Sequence, residues 1–265
     1  MRTALSAMPT MLRVAMATML QYRGEIVLWA VWGLVFPAVS IAMWTTAAKG
    51  GRVGTFNTGE IAAYFFLTMI VGHLSAAWDV YEMGYLIRSG TMSPLLLQPI
   101  LPIWVSIASN LAYKLVTLLL LAPIWLLVAW YVEPEFHTSL LHLALGIPAV
   151  LLGAAIAYLW GYVIALIAFF MTKIDAAAEL YFGLTLLVGG RFAAIEWLPA
   201  PLQWLTWLFP FRWSVAYPIE LLMGRLDLTA ALTGLAWQLA WFGSSIVVFL
   251  WGWRRAVRHY AAVGG

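Results

Sequence analysis

Cysteine is absent from this 265-residue chain, which excludes disulfides, thiolate metal sites and thiol nucleophiles. Charge is scarce: Asp, Glu, Lys and Arg make up 9% of the residues, against roughly a quarter in soluble domains. So little charge does not keep a folded chain of this size in water. A net charge of +3 is also too small to make a nucleic-acid surface. The pattern G-x-x-x-x-G-K-[ST] does not occur, so the chain has no phosphate-cradling loop of its own. What it has in abundance is apolar: 64% hydrophobic residues, 16 of them Trp, with a mean hydropathy of +0.92. Those values describe a polytopic membrane protein, all-α, with no room left for a soluble catalytic domain.

A bilayer core about 30 Å thick is crossed by about 20 apolar helical residues. Six segments of the sequence meet that need, near 25–47, 60–78, 103–131, 142–170, 176–191 and 231–253. The fifth is the weakest, with Glu179 near its start and Gly189, Gly190 and Arg191 at its end. Ahead of the first span, residues 1–24 are interrupted by Arg13 and threonines and lack a signal-peptide core. Leu5, Met8, Leu12, Ala15, Met16 and Met19 recur there at helical spacing. This predicts an amphipathic interfacial helix whose regular part follows Pro9. Residues 25–265 then form one transmembrane domain.

Basic residues set the expected orientation. Arg2, Arg13 and Arg23 lie at one end of the chain and Arg254, Arg255 and Arg258 at the other, and an even number of spans puts both ends on one side. That side is predicted to be cytoplasmic. With Arg88 and Lys173 the inner side gathers 8 basic residues, against 5 outside (Lys49, Arg52, Arg191, Arg212 and Arg225).

On this topology residues 79–102, "DVYEMGYLIRSGTMSPLLLQPILP", form the longest inner loop. Asp79, Glu82 and Tyr85, or Glu82, Tyr85 and Ser89, lie three or four apart, so a short helix ending near Gly90 presents a charged face that includes Arg88. Pro94, Pro99 and Pro102 stiffen the return.

The stretches "IRSG" (87–90) and "LLLQP" (95–99) resemble the first cytoplasmic loop of permease subunits of type 2 ABC exporters, in particular a branch with two related permeases per ATPase. The segment 198–226, with Leu202-Gln203-Trp204, Pro210-Phe211, Tyr217-Pro218 and Leu222-Met223-Gly224 in order, resembles the stretch before the last span of the same branch. Gln98 stands where that family commonly has Arg. The resemblance implies that residues 79–93 act as a coupling helix on a nucleotide-binding subunit, with Glu82 and Arg88 as leading contacts. It also implies that ATP and Mg are bound by that separate ATPase and not by this chain, and that a second permease, identical or paralogous, completes the pathway. The setting it implies is the bacterial cytoplasmic (inner) membrane.

Residues 192–226 are broken by Pro199, Pro201, Pro210 and Pro218 yet are too apolar for water. They predict two short helices dipping in from the outer face, near 201–209 and 213–223, with Trp197, Trp204, Trp207 and Trp213 at headgroup depth and Glu220 in the second helix. In the family such a pair is an outer lid. Lys114, about 16 Å into the third span at 1.5 Å per residue, shares a face with Asn110 and calls for a partner; Glu179 and Glu220 are the candidates. Glu133, Glu135, His137 and His142 match no metal-ligand spacing and read as a solvated loop. His73 and Asp79 make no catalytic pair and read as a loop-end His and an acidic cap. For cargo, the resemblance is compatible with drug or xenobiotic efflux, and lipid or glycolipid export uses the same architecture. An ion-driven secondary transporter and a membrane enzyme are the competing classes.

Overall fold

The computed structural model describes residues 2–171 and 174–260. Its backbone is helical almost throughout, as lipid demands of a chain that must satisfy its own peptide groups. Helix α1 (Arg2–Gln21) runs straight through Pro9 and packs against α6. The ring of Pro9 removes one hydrogen bond in a helix that is held from the side, so it does not set the start. Helices α2 (Arg23–Ala48), α3 (Thr58–Leu74) with α4 (Asp79–Arg88), α6 (Pro102–Val132), α7 (Leu140–Ala165, extended by a 3-10 turn, Leu166–Phe169) and α12 (Leu228–His259) give five segments long and apolar enough to cross a membrane. These match five of the six expected spans.

The sixth, expected over 176–191, is the 13-residue helix α8 (Asp175–Leu187), about 20 Å long at 1.5 Å per residue and short of a full crossing. Lys173, counted above with the inner basic residues, lies outside the described residues.

Between α8 and α12 the chain makes a single turn (Ile195–Trp197) and three short helices, α9 (Ala200–Trp207), α10 (Pro210–Ser214) and α11 (Ala216–Leu222). The helix expected over 213–223 is therefore two helices, broken at Val215 (φ −133°, ψ −63°). Pro218 explains the break. Its nitrogen cannot donate to the carbonyl of Ser214, and its ring would clash there; that carbonyl accepts from Ser75 Oγ at 3.3 Å instead.

The two ends of the bundle separate cleanly. At one end lie the antiparallel pair Arg52–Val53 and Phe56–Asn57, the 133–139 loop, the 195–197 turn and the 222–227 connection. At the other lie α4, the five-residue helix α5 (Met92–Leu96), the 3-10 turn and the end of α12, where Ser93 Oγ meets Tyr260 Oη at 2.7 Å. The core divides in the same way. Phe56, Tyr64, Phe65, Trp125 and Ile219 fill the first half, and Val80, Met83, Tyr162, Phe169, Phe249 and Trp253 fill the second.

Helix α7 is the central post, packed by α12, α10, α11 and α4. Gly153 permits that closeness: a Cβ there would stand 2.7 Å from the backbone oxygen of Ser214. The buried Gln238 of α12 ties the same junction, its Nε2 donating to the carbonyls of Ala149 (2.9 Å) and Trp213 (2.7 Å).

Candidate functional site

Helix α4 is amphipathic across the bundle end. Val80, Met83 and Gly84 face inward against α7, the 3-10 turn and α8, while Tyr81, Glu82, Tyr85, Arg88 and Ser89 are exposed. Of the two charged triples that sequence spacing allows, the structure selects Glu82, Tyr85 and Ser89. Gly90 stops the helix in the left-handed conformation (φ 74°), where glycine carries no Cβ penalty. Ser89 Oγ and Thr91 Oγ1, 2.8 Å apart, then fix the turn into α5. Helix α5 anchors through the buried Met92. Leu97, 87% exposed, lies just past it.

Asp79 departs from expectation. It is 5% exposed and turned away from the charged face, bonded to the Ser106 hydroxyl, which also accepts from Tyr158 Oη at 2.8 Å. Its neighbours explain why. Ser106, Asn110, Lys114 and Thr117 recur three or four apart along α6 and form one polar stripe. That stripe lies against the break between α3 and α4. Asn110 Nδ2 donates to the Ala76 carbonyl at 3.0 Å, and Thr117 Oγ1 meets His73 Nε2 at 3.0 Å. His73, in the last turn of α3, and Asp79, in the first turn of α4, are a loop-end histidine and an acidic helix start, and both are also members of a polar seam.

Lys114 lies within this seam and has neither expected partner. No ion pair among the described residues includes it. Glu179 is exposed on α8 opposite Tyr81, and Glu220 pairs with Arg212 at 3.7 Å. Asp79 is the carboxylate whose field reaches Lys114.

The proline-rich segment is less interfacial than its tryptophans suggest. Trp204 is 78% exposed, but Trp213 is 2% exposed, stacked on Trp237 at 5.7 Å and edge-on to Trp207 at 5.2 Å. Trp197 packs on Trp44 at 4.7 Å and Phe56 at 5.2 Å, well inside. The guanidinium of Arg212 lies 4.6 Å over Trp207. Burial pushes the Glu220 carboxyl above the usual range, and Arg212 and Arg225 pull it back. Pro210, Tyr217 and Pro218 are buried against α7 and α12, Tyr217 Oη donating to the Ala231 carbonyl at 2.6 Å; Phe211 is half-buried beside Tyr181.

A cluster that sequence spacing did not reveal closes this end. Arg225 Nη1 donates to Glu60 Oε1 at 3.0 Å, its Nη2 lies 3.5 Å from Glu196 Oε2 and on Thr55 Oγ1, and its guanidinium sits 3.7 Å over the Phe56 ring. Glu196 also accepts from the Thr55 amide at 2.8 Å. His137 stands 3.4 Å from Glu60 and 3.8 Å from Glu135. Its members come from four separate connections, so no local motif marks it. The residues weighed above for metal are spread over other tasks. Glu133 ends α6, and His142 caps α7 with Ser139 and reaches the Leu226 carbonyl at 2.9 Å.

The profile of the family described as ABC-2 family transporter protein matches residues 34–264. The chain belongs to the ABC-2 transporter family. As an ABC-2 permease it is a multi-pass membrane transport subunit of an ABC exporter, and itself non-catalytic. Membership displaces the ion-driven transporter and the membrane enzyme as readings. No curated protein matches the chain.

Proposed function

We propose that the chain forms one half of an export pathway in the bacterial cytoplasmic membrane, with both termini cytoplasmic, and that α4 and α5 dock into a separate ATPase that binds ATP and Mg. A second permease of the two-permease branch completes the pathway. The short α8 serves as the sixth crossing. One observation carries the reading: α4 displays Glu82, Tyr85, Arg88 and Ser89 on one side while its other side is locked to α6, α7 and α8. A push on the exposed face is transmitted to the spans because the lever is packed and not loose.

The cargo is membrane-soluble. A cleft of about 630 Å³ between α2, α3 and α6, lined by Ile41, Ala62, Met69, Leu127 and Val128, favours an apolar body. Xenobiotic efflux and lipid export both fit that chemistry.

The test is charge reversal, Glu82→Lys with Arg88→Glu, in the chain co-expressed with a candidate ABC ATPase from the same organism. ATPase co-purification falls about tenfold or more, as expected for hot-spot contacts, while the permease itself stays folded. Undiminished co-purification and transport would overturn the docking assignment.

A further inference from the structure

Three arginines lie in or near the segment between α8 and α12, and they are treated differently. Arg212 has Glu220 and the Trp207 ring; Arg225 has Glu60, Glu196 and the Phe56 ring. Arg191, counted above with the outer basic residues, is largely buried. Its Nε is shielded without a hydrogen-bond partner, and its side chain makes no ion pair or hydrogen bond among the described residues. The ionisable group that faces it is the Tyr181 phenol, already donating to the Ala157 carbonyl at 3.1 Å.

The backbone holds Arg191 in place. Tyr64 Oη donates to the Gly190 carbonyl at 2.7 Å, Trp44 Nε1 donates to the Phe192 carbonyl at 2.9 Å, and the Phe192 amide returns to Leu186 at 3.1 Å. Both flanking peptides are pinned to α2 and α3, so the side chain is not a loop residue free to swing into water. A guanidinium does not give up its proton, and an uncompensated buried charge costs several kcal/mol. A fixed, shielded cation without an acid of its own is a site waiting for an anion.

The residue that follows Arg191 opens onto an apolar face. Phe192 lies 6.3 Å from Phe36 and 6.1 Å from Trp44, and the α2 surface beyond them exposes Trp32, Phe36 and Val39. We propose that Arg191 binds the carboxylate or phosphate head of an anionic amphiphile whose apolar tail lies along this face of α2. Bidentate donation from a planar guanidinium suits either head. The assignment of that amphiphile as cargo rests on the exporter reading; the binding itself does not.

The full chain in phosphatidylcholine nanodiscs is titrated with dodecyl phosphate, dodecanol and dodecyltrimethylammonium, following bound ligand and the unfolding midpoint. Dodecyl phosphate binds and raises the midpoint, the neutral and cationic chains do not, and Arg191→Gln weakens binding about tenfold or more while Arg191→Lys retains part of it. Without ligand, Arg191→Gln unfolds no earlier than the parent, because it removes a charge that had no partner. Equal binding by parent and Arg191→Gln would overturn the proposal. So would a lower midpoint for Arg191→Gln with unchanged phosphate binding, which would show that the guanidinium stabilises the chain without an anion. Release of dodecyl phosphate on ATP turnover by the assembled complex supports cargo. Retention through turnover makes the anion a resident lipid and overturns the cargo assignment. A chain that binds no ATPase but still binds dodecyl phosphate through Arg191 would sink the exporter mechanism and leave the anion site standing.

Discussion

The two ends of the bundle handle their charges in opposite ways. At the end that carries Arg225, segments far apart in sequence bring Arg225 to Glu60 and Glu196, and Arg225 and Arg212 rest on aromatic rings. At the end that carries α4, Glu82 and Arg88 stand exposed on a helix that is anchored from its hidden side by Asp79 with Ser106. One end is sealed by its own residues. The other leaves its charges on the surface, with a polar seam behind them.

Mutations separate the ends by size and kind of effect. The largest loss is expected from Arg225→Ala, which takes the guanidinium from both Glu60 and Glu196 and leaves Glu60 to His137 and the Asn57 amide and Glu196 to Thr55; breaking a buried pair costs about 3–5 kcal/mol, read as an earlier thermal unfolding of the purified permease. Next is Gly153→Val, where the added Cβ presses on the Ser214 carbonyl at the junction between the two core halves; overpacking of this kind costs about 1–3 kcal/mol in the same assay. Asn110→Ala leaves the Ala76 carbonyl without its donor at the α3–α4 break, at about 1–2 kcal/mol, and should lower the ATP turnover that yields transport more than the midpoint suggests. The smallest stability change, within about 0.5 kcal/mol, is expected from Glu82→Lys with Arg88→Glu, because both side chains are exposed. That pair should nonetheless cause the greatest loss of ATPase binding. If it unfolded the permease instead, the contrast between the sealed and the exposed end would fail.

Hydropathy made the five long spans legible, and the three-to-four spacing with Gly90 made α4 legible with its limits. Spacing did not decide which way Asp79 turned, because α4 admits two charged triples and only the polar stripe of α6 chooses between them. The stripe was half visible, as Asn110 and Lys114; Ser106 and Thr117 are unremarkable hydroxyls until the α3–α4 break is set against them. The expected Lys114 ion pair failed for a related reason, since pairing is decided by which faces meet and Glu220 was taken by Arg212. Pro218 marks the interruption at Val215, because its ring excludes the carbonyl four residues earlier, while the apolar run over 213–223 by itself predicts one helix. The Arg225 cluster was out of reach: Thr55 and Glu60 beside the start of α3, Glu196 in the 195–197 turn and Arg225 after α11 are polar residues from three separate parts of the chain until the fold closes.

Helix α8, at 13 residues and about 20 Å, bears on the membrane as much as on the protein. On the proposed topology, with α8 as the sixth crossing, so short a helix would draw the two leaflets toward each other along its flank, the mismatch being met by thinning the lipid. A polar headgroup moving beside α8 then has roughly a third less hydrocarbon to traverse than it would in the undisturbed bilayer about 30 Å thick, so part of the barrier to translocation is removed by geometry before any nucleotide is spent.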